Sequence, residues 1–176
     1  MLRYIVSMIT LLATSLTLTI NAPADLTPGA SRRPLPEVAL TNSKGAPVKL
    51  SGYKGRVVLL DFWATWCEGC KEEIPWLMEF QNKYMKTGLT VVGASLDDDG
   101  WKSVKPYLRE HKINYRIVLG TSESAKQFGV DQGMPVTLLI DRMGRIADLH
   151  LGMVDKAAFE HEIRILLSED AKTATD

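Results

Sequence analysis

Apolar positions along this chain fall into two rhythms, short unbroken runs and longer stretches spaced three or four apart. The runs at 56–63 and 89–96 are too short for helices and rich in Val and Leu, which predicts two strands buried on both faces. Asp61 stands inside the first run, where the pattern calls for an apolar residue. Helical spacing predicts a helix over 68–86, its core face carried by Ile74, Leu77, Met78 and Tyr84, with a kink at Pro75. A second amphipathic helix over 98–111 groups Trp101, Val104, Tyr107 and Leu108. A short strand at 115–119 and a short helix at 122–128 follow. A hairpin of 135–141 and 145–151 comes next, then a final helix over 155–168 with Asp155 as its N-cap. Upstream, 37–50 reads as a further hairpin turning at 42–45, and 52–55 as a tight turn. Strands alternating with helices and ending in a hairpin plus helix predict an α/β domain over 37–168, a mixed sheet flanked by helices. There is no internal repeat.

The flanks read differently. Arg3 precedes an uncharged apolar stretch over 5–20, and small residues follow at 22 and 24. This is the pattern of an export signal at 1–24, cleaved after Ala24 or retained as an anchor. No Cys follows it, so lipid attachment is not expected. Proline-rich 25–36 is expected to be a flexible linker, and polar 169–176 a frayed tail. The chain has 176 residues, 45% of them hydrophobic, enough for one full core. Its 21 basic and 21 acidic residues balance without a basic stripe, which removes nucleic acid from the expected partners.

The chemistry concentrates in two cysteines, Cys67 and Cys70. A bridge between them closes almost no loop and so adds little as a staple. A zinc site would need further ligands, and His111, His150 and His161 are scattered, so no metal site and no bound cofactor is expected. Redox chemistry remains. The pair falls where a buried strand hands over to a helix. At the helix N-terminus, unpaired N–H groups and the macrodipole favour an anion, which makes Cys67 the attacking thiolate. Cys70, one turn inside, becomes the more buried resolving thiol, and Trp66 shields the pair on one side.

The run Asp61-Phe62-Trp63-Ala64-Thr65-Trp66-Cys67-Glu68-Gly69-Cys70-Lys71 resembles the active-site stretch of the thioredoxin superfamily. Asp61 matches that family's buried acid, Pro75 its helix proline, and Met134-Pro135 its cis-proline loop, which receives a substrate backbone. The hairpin before the first core strand and the extra strand–helix segment around 95–119 resemble the exported TlpA/ResA group. So does Cys67-Glu68-Gly69-Cys70-Lys71-Glu72-Glu73-Ile74-Pro75. The resemblance spans roughly 36–167. It implies a thioredoxin fold with an N-terminal hairpin and an inserted strand–helix segment. The activity it implies is reduction of disulfides in exported proteins, such as apocytochrome c or copper-site assembly factors. It further implies a cysteine-containing protein substrate, a membrane electron donor resembling DsbD or CcdA, and a monomer. Trp66, Met134 and Pro135 would bind substrate. Two departures stand out. ResA-like members carry a non-acidic residue where this chain has Asp61, and members resembling CcmG carry an acid where it has Val136.

Strong oxidants of this kind stabilise the thiolate of the reduced form. Here Glu68 lies between the cysteines, Glu73 follows on the same helix face, and Asp61 approaches from the strand. Three carboxylates near the dithiol are expected to oppose thiolate formation and make it an electron donor. Asp61 is expected to relay a proton for Cys70, and Glu73 to tune the thiol pKa. An oxidase or isomerase in the same compartment and a copper metallochaperone of related fold are the alternatives. The latter usually uses CxxxC with a distal His.

Overall fold

The computed structural model describes residues 26–169. Strand β1 (Val57–Trp63) is buried at all seven positions. Helix α1 (Glu68–Tyr84) follows and runs through Pro75 without interruption. Strand β2 (Leu89–Ser95), helix α2 (Trp101–His111) and strand β3 (Arg116–Leu119) come next. Then follow the short helix α3 (Ser122–Lys126), the hairpin of β4 (Val136–Ile140) and β5 (Ile146–Leu151), and helix α4 (Lys156–Ser168). Asp155 caps α4 as expected, its carboxylate accepting from the N–H of Ala158 at 2.9 Å.

The five strands form one sheet in the order β3-β2-β1-β4-β5. β1 pairs parallel with β2 and antiparallel with β4. It is therefore the central strand, with no free edge and an apolar layer on each face. Val58, Leu60 and Phe62 join the layer that includes Val92, Leu138 and Phe128. Val57 and Leu59 join the opposite layer with Leu77 and Phe80 of α1 and Phe159 and Ile163 of α4. Burial of an uninterrupted apolar run between two layers is the outcome its composition requires. Among the described residues no helix is long and apolar enough to cross a membrane.

The upstream segments depart from expectation in two ways. The 37–50 hairpin is present only as isolated bridges, Thr41 to Pro47 and Thr41 to Leu119 of β3. The Asn42 side chain holds its turn by accepting from the N–H groups of Lys44 and Ala46, beside backbone bonds from Asn42 N–H to Ala46 and from Val48 N–H to Leu40. The segment expected to be a flexible linker is docked from residue 26 onward. The Thr27 N–H donates to the Ala147 carbonyl, Leu35 N–H to Gly144, and Ile146 N–H back to Arg33. Arg32 is buried, its guanidinium 3.4 Å from Asp141 and bidentate to Glu169 at 2.6 and 2.7 Å. Composition marks the prolines but not the buried arginine that holds the segment down. Glu169, the start of the expected frayed tail, is likewise anchored. The rest of that tail and the export signal of 1–24 lie outside the described residues.

Asp141 also accepts from the N–H groups of Met143 and Arg145 and from Arg145 Nε, each within 2.9 Å. Removing this buried carboxylate takes the acceptor from two backbone N–H groups and from Arg145 Nε, and leaves Arg32 held by Glu169 on the other side. Asp141→Ala should therefore lower the unfolding free energy by about 3 kcal/mol, read as a reduced urea midpoint with an unchanged slope.

Candidate active site

The dithiol sits where β1 delivers the chain into α1. Cys67 is the N-cap of α1, and its sulfur accepts from the N–H of Cys70 at 3.2 Å. The two cysteines are joined as a disulfide, Cα atoms 5.3 Å apart. Cys70 is the more deeply buried, packed with Trp63, Ala64, Ile74 and Val104.

Gly69 explains the middle of the motif. A Cβ there would lie 3.2 Å from Pro135 Cδ and 3.4 Å from Met153 Cγ, so the helix start and the loop before β4 approach closely only at glycine. The Met134–Pro135 bond is cis, as the resemblance implies. The two segments flank an open groove of about 450 Å³, lined by Trp66, Cys67, Gly69 and Met134 among others. Its lining includes Glu68 and Asp131 and no basic side chain. Trp66 is 63% exposed, a wall of the groove and not a lid over the sulfurs.

The three carboxylates expected around the dithiol are not alike. Glu68 points to solvent and pairs with Lys71 at 2.7 Å. Asp61 is 1% exposed, opposite Gly93 on one side and Thr137 on the other. Burial pushes its carboxyl well above the usual range and the nearby Glu73 pushes it further, while the Thr137 hydroxyl, 3.5 Å away, opposes weakly. Glu73 is 2% exposed, and neither of its oxygens has a hydrogen-bond partner of normal geometry. Burial lifts it to about 7, with the backbone N–H of Val154 and the charge of His150 pulling the other way. Near pH 7 Glu73 is thus balanced between its two forms, while Asp61 is pushed toward its neutral form. Of the three carboxylates expected around the dithiol, one is exposed and two are buried.

Two features escape the sequence reading. Asp97, just past β2, is buried and accepts from the Thr65 N–H at 3.1 and 3.2 Å, the Thr65 hydroxyl at 2.5 Å and the Ser95 hydroxyl at 2.8 Å. It pins the loop that aims Trp66 and Cys67. Three consecutive aspartates at 97–99 hide which one turns inward. Tyr115 is also buried, and its hydroxyl is pushed well up by burial first and by Asp61 and Glu73 after.

A Redoxin family model matches residues 30–166. The thiol-disulfide oxidoreductase ResA of Geobacillus kaustophilus is 26% identical over 162 residues, 92% of each chain. ResA of Bacillus thuringiensis is 27% identical over 130 residues, 73% of this chain and 74% of the relative. Among solved structures, a Chlorobium tepidum protein described as a thiol:disulfide interchange protein DsbE superposes with a TM-score of 0.67 at 34% identity. That match covers 78% of this chain and 97% of the other. A secreted thiol-disulfide isomerase from Corynebacterium glutamicum shares the fold at a TM-score of 0.73 and 22% identity, over 86% and 95%.

Glu73 gives a signed pH prediction. Its pKa of about 7 in the folded protein lies above the ordinary 4.5. The stability contributed by keeping it neutral is complete below about pH 4.5 and is lost as pH rises through about 7. Glu73→Gln, neutral throughout, should gain on the parent by about 3 kcal/mol between pH 5 and pH 8, measured by urea unfolding of the disulfide form. Asp97→Ala leaves the Thr65 donors unpaired. It should cost about 2 kcal/mol and slow reaction of the reduced dithiol with a disulfide substrate, while the reduction potential stays put.

Proposed function

The chain belongs to the redoxin family and is a thiol–disulfide oxidoreductase, and from that premise we propose that it acts as an electron donor, reducing disulfides in exported proteins. The observation that carries this direction is the setting of the dithiol. The described residues lining the groove beside it include Glu68 and Asp131 and no basic side chain, and Asp61 and Glu73, on the strand and helix that flank the dithiol, are buried. An oxidant would need its thiolate stabilised, and negative charge and apolar burial close to a thiol do the reverse.

In this reading the reduced Cys67 thiolate, at the N-terminus of α1, attacks one sulfur of a substrate disulfide. A mixed disulfide forms and the other substrate sulfur leaves as a thiolate. Cys70 gives up its proton, with Asp61 as the acceptor, and attacks the Cys67 sulfur. The substrate's second thiol leaves and the Cys67–Cys70 disulfide remains, so two electrons have passed to the substrate. An acid whose pKa is lifted by burial is a better acceptor for a thiol proton than a solvated aspartate. Glu73 tunes that exchange through its charge on Asp61. Trp66, Met134 and Pro135 bind the substrate strand along the groove, with cysteine-containing proteins such as apocytochrome c or copper-site assembly factors as the substrate class.

Export rests on the apolar stretch at 5–20, which would place the domain in the periplasm or on the outer face of the cytoplasmic membrane. There a membrane electron donor returns the disulfide to the dithiol, and no bound cofactor enters the cycle.

Cys70→Ser cannot complete the second step. Expressed in a bacterial envelope, it should accumulate mixed disulfides with exported cysteine proteins, seen as reductant-sensitive bands on a non-reducing gel. Cys67→Ser should accumulate none. Equal trapping by both variants, or by neither, contradicts the assignment of roles.

A further inference from the structure

His150 is scattered from the other histidines in sequence but not alone in space. β5 pairs Ile146 with Ile140 and Asp148 with Leu139, so it carries one extra residue, Ala147, at a bulge. Beyond the bulge Asp148 and His150 are two apart on a strand and share a face. That face is the one covered by α4, since His150 stacks edge-on against Phe159 at 5.1 Å. One helical turn along α4, Glu162 reaches the same point. Glu162 Oε2 is 2.7 Å from His150 Nε2, and Asp148 Oδ2 is 3.5 Å from that nitrogen. One ligand atom from each of the three residues lies within 4.8 Å of the others.

A simple buried hydrogen bond between His150 and Glu162 accounts for only part of this. Glu162 is 1% exposed, yet its Oε1 has no hydrogen-bond partner. An oxygen left bare in a buried carboxylate is costly, and it lies on the one residue here that is fully shielded from water. A second carboxylate, Asp148, also faces the single imidazole, where one proton can satisfy only one of them. Asp148 and His150 remain partly open, with side chains 23% and 11% exposed, so the cluster has an entry path.

We propose that Asp148, His150 and Glu162 form a binding site for a first-row divalent metal ion of the zinc type, separate from the dithiol. One imidazole nitrogen with two carboxylates is a donor set that zinc accepts, and the bare Glu162 oxygen allows that carboxylate to turn or bind through both atoms. Three protein ligands leave a coordination position for water, which predicts exchangeable binding and not a permanently closed structural centre. The ion would tie β5 to α4 behind the active-site helix. The three ligands come from two consecutive elements, Asp148 and His150 two residues apart on β5 and Glu162 twelve residues further on in α4.

The test is equilibrium dialysis of zinc chloride against the full chain in its disulfide form, in which no free thiol competes. One zinc per chain is expected, with a melting temperature that rises to saturation as zinc is added. His150→Ala and Glu162→Gln should each weaken binding at least tenfold. Asp148→Asn, at a partly exposed position that tolerates replacement, should weaken it too and abolish most of the thermal shift. No saturable binding by the parent, or binding that persists unchanged in Asp148→Asn and His150→Ala, overturns the proposal.

Discussion

β1 is hydrogen-bonded along both edges and covered on both faces, and it carries Asp61 into that enclosure two residues before it ends. A carboxylate there cannot be hydrated, so burial shifts the group toward its neutral form, and Glu73 on α1 pushes the same way. Cys67 caps α1 four residues past the end of β1, so one strand positions both the buried acid and the dithiol. Gly69 and Pro135 complete the arrangement by letting the two halves of the site touch.

The consequence is a change in what the acids are for. Viewed as charges, Asp61, Glu68 and Glu73 would simply repel a thiolate. Placed in the fold, Glu68 is neutralised at the surface by Lys71, while burial pushes Asp61 toward its neutral form and leaves Glu73 near the midpoint of its titration at pH 7. On the proposed reading, these two acids also supply the proton traffic that two successive disulfide exchanges require.

Much of this was legible in the residues. The unbroken apolar runs marked β1 and β2, helical spacing marked α1, α2 and α4, and Asp61 stood out because an acid interrupts a buried run. The two cysteines stood out by their spacing and their place between a buried strand and a helix, whereas the cis-proline loop came through resemblance, since neither periodicity nor spacing brings 134–135 beside 67–70. What was not legible depends on which way a polar side chain turns. Arg32 lies in a proline-rich stretch that reads as linker, yet it buries its charge on Asp141 and Glu169. Asp97 is one of three adjacent aspartates, and only the fold shows that it holds Thr65. Glu73 is expected near the dithiol as a charge, and only the packing of α1 shows that its carboxyl is buried. His150, Asp148 and Glu162 meet only because a bulge in β5 and a turn of α4 converge.

Direction of electron flow is the central claim, and the reduction potential tests it most directly. Equilibrating the Cys67/Cys70 couple with glutathione buffers at pH 7 should place it close to thioredoxin, at about −270 mV. A value near that of the oxidant DsbA, about −120 mV, would mean that the thiolate is stabilised after all. The buried acids would then not be acting as described.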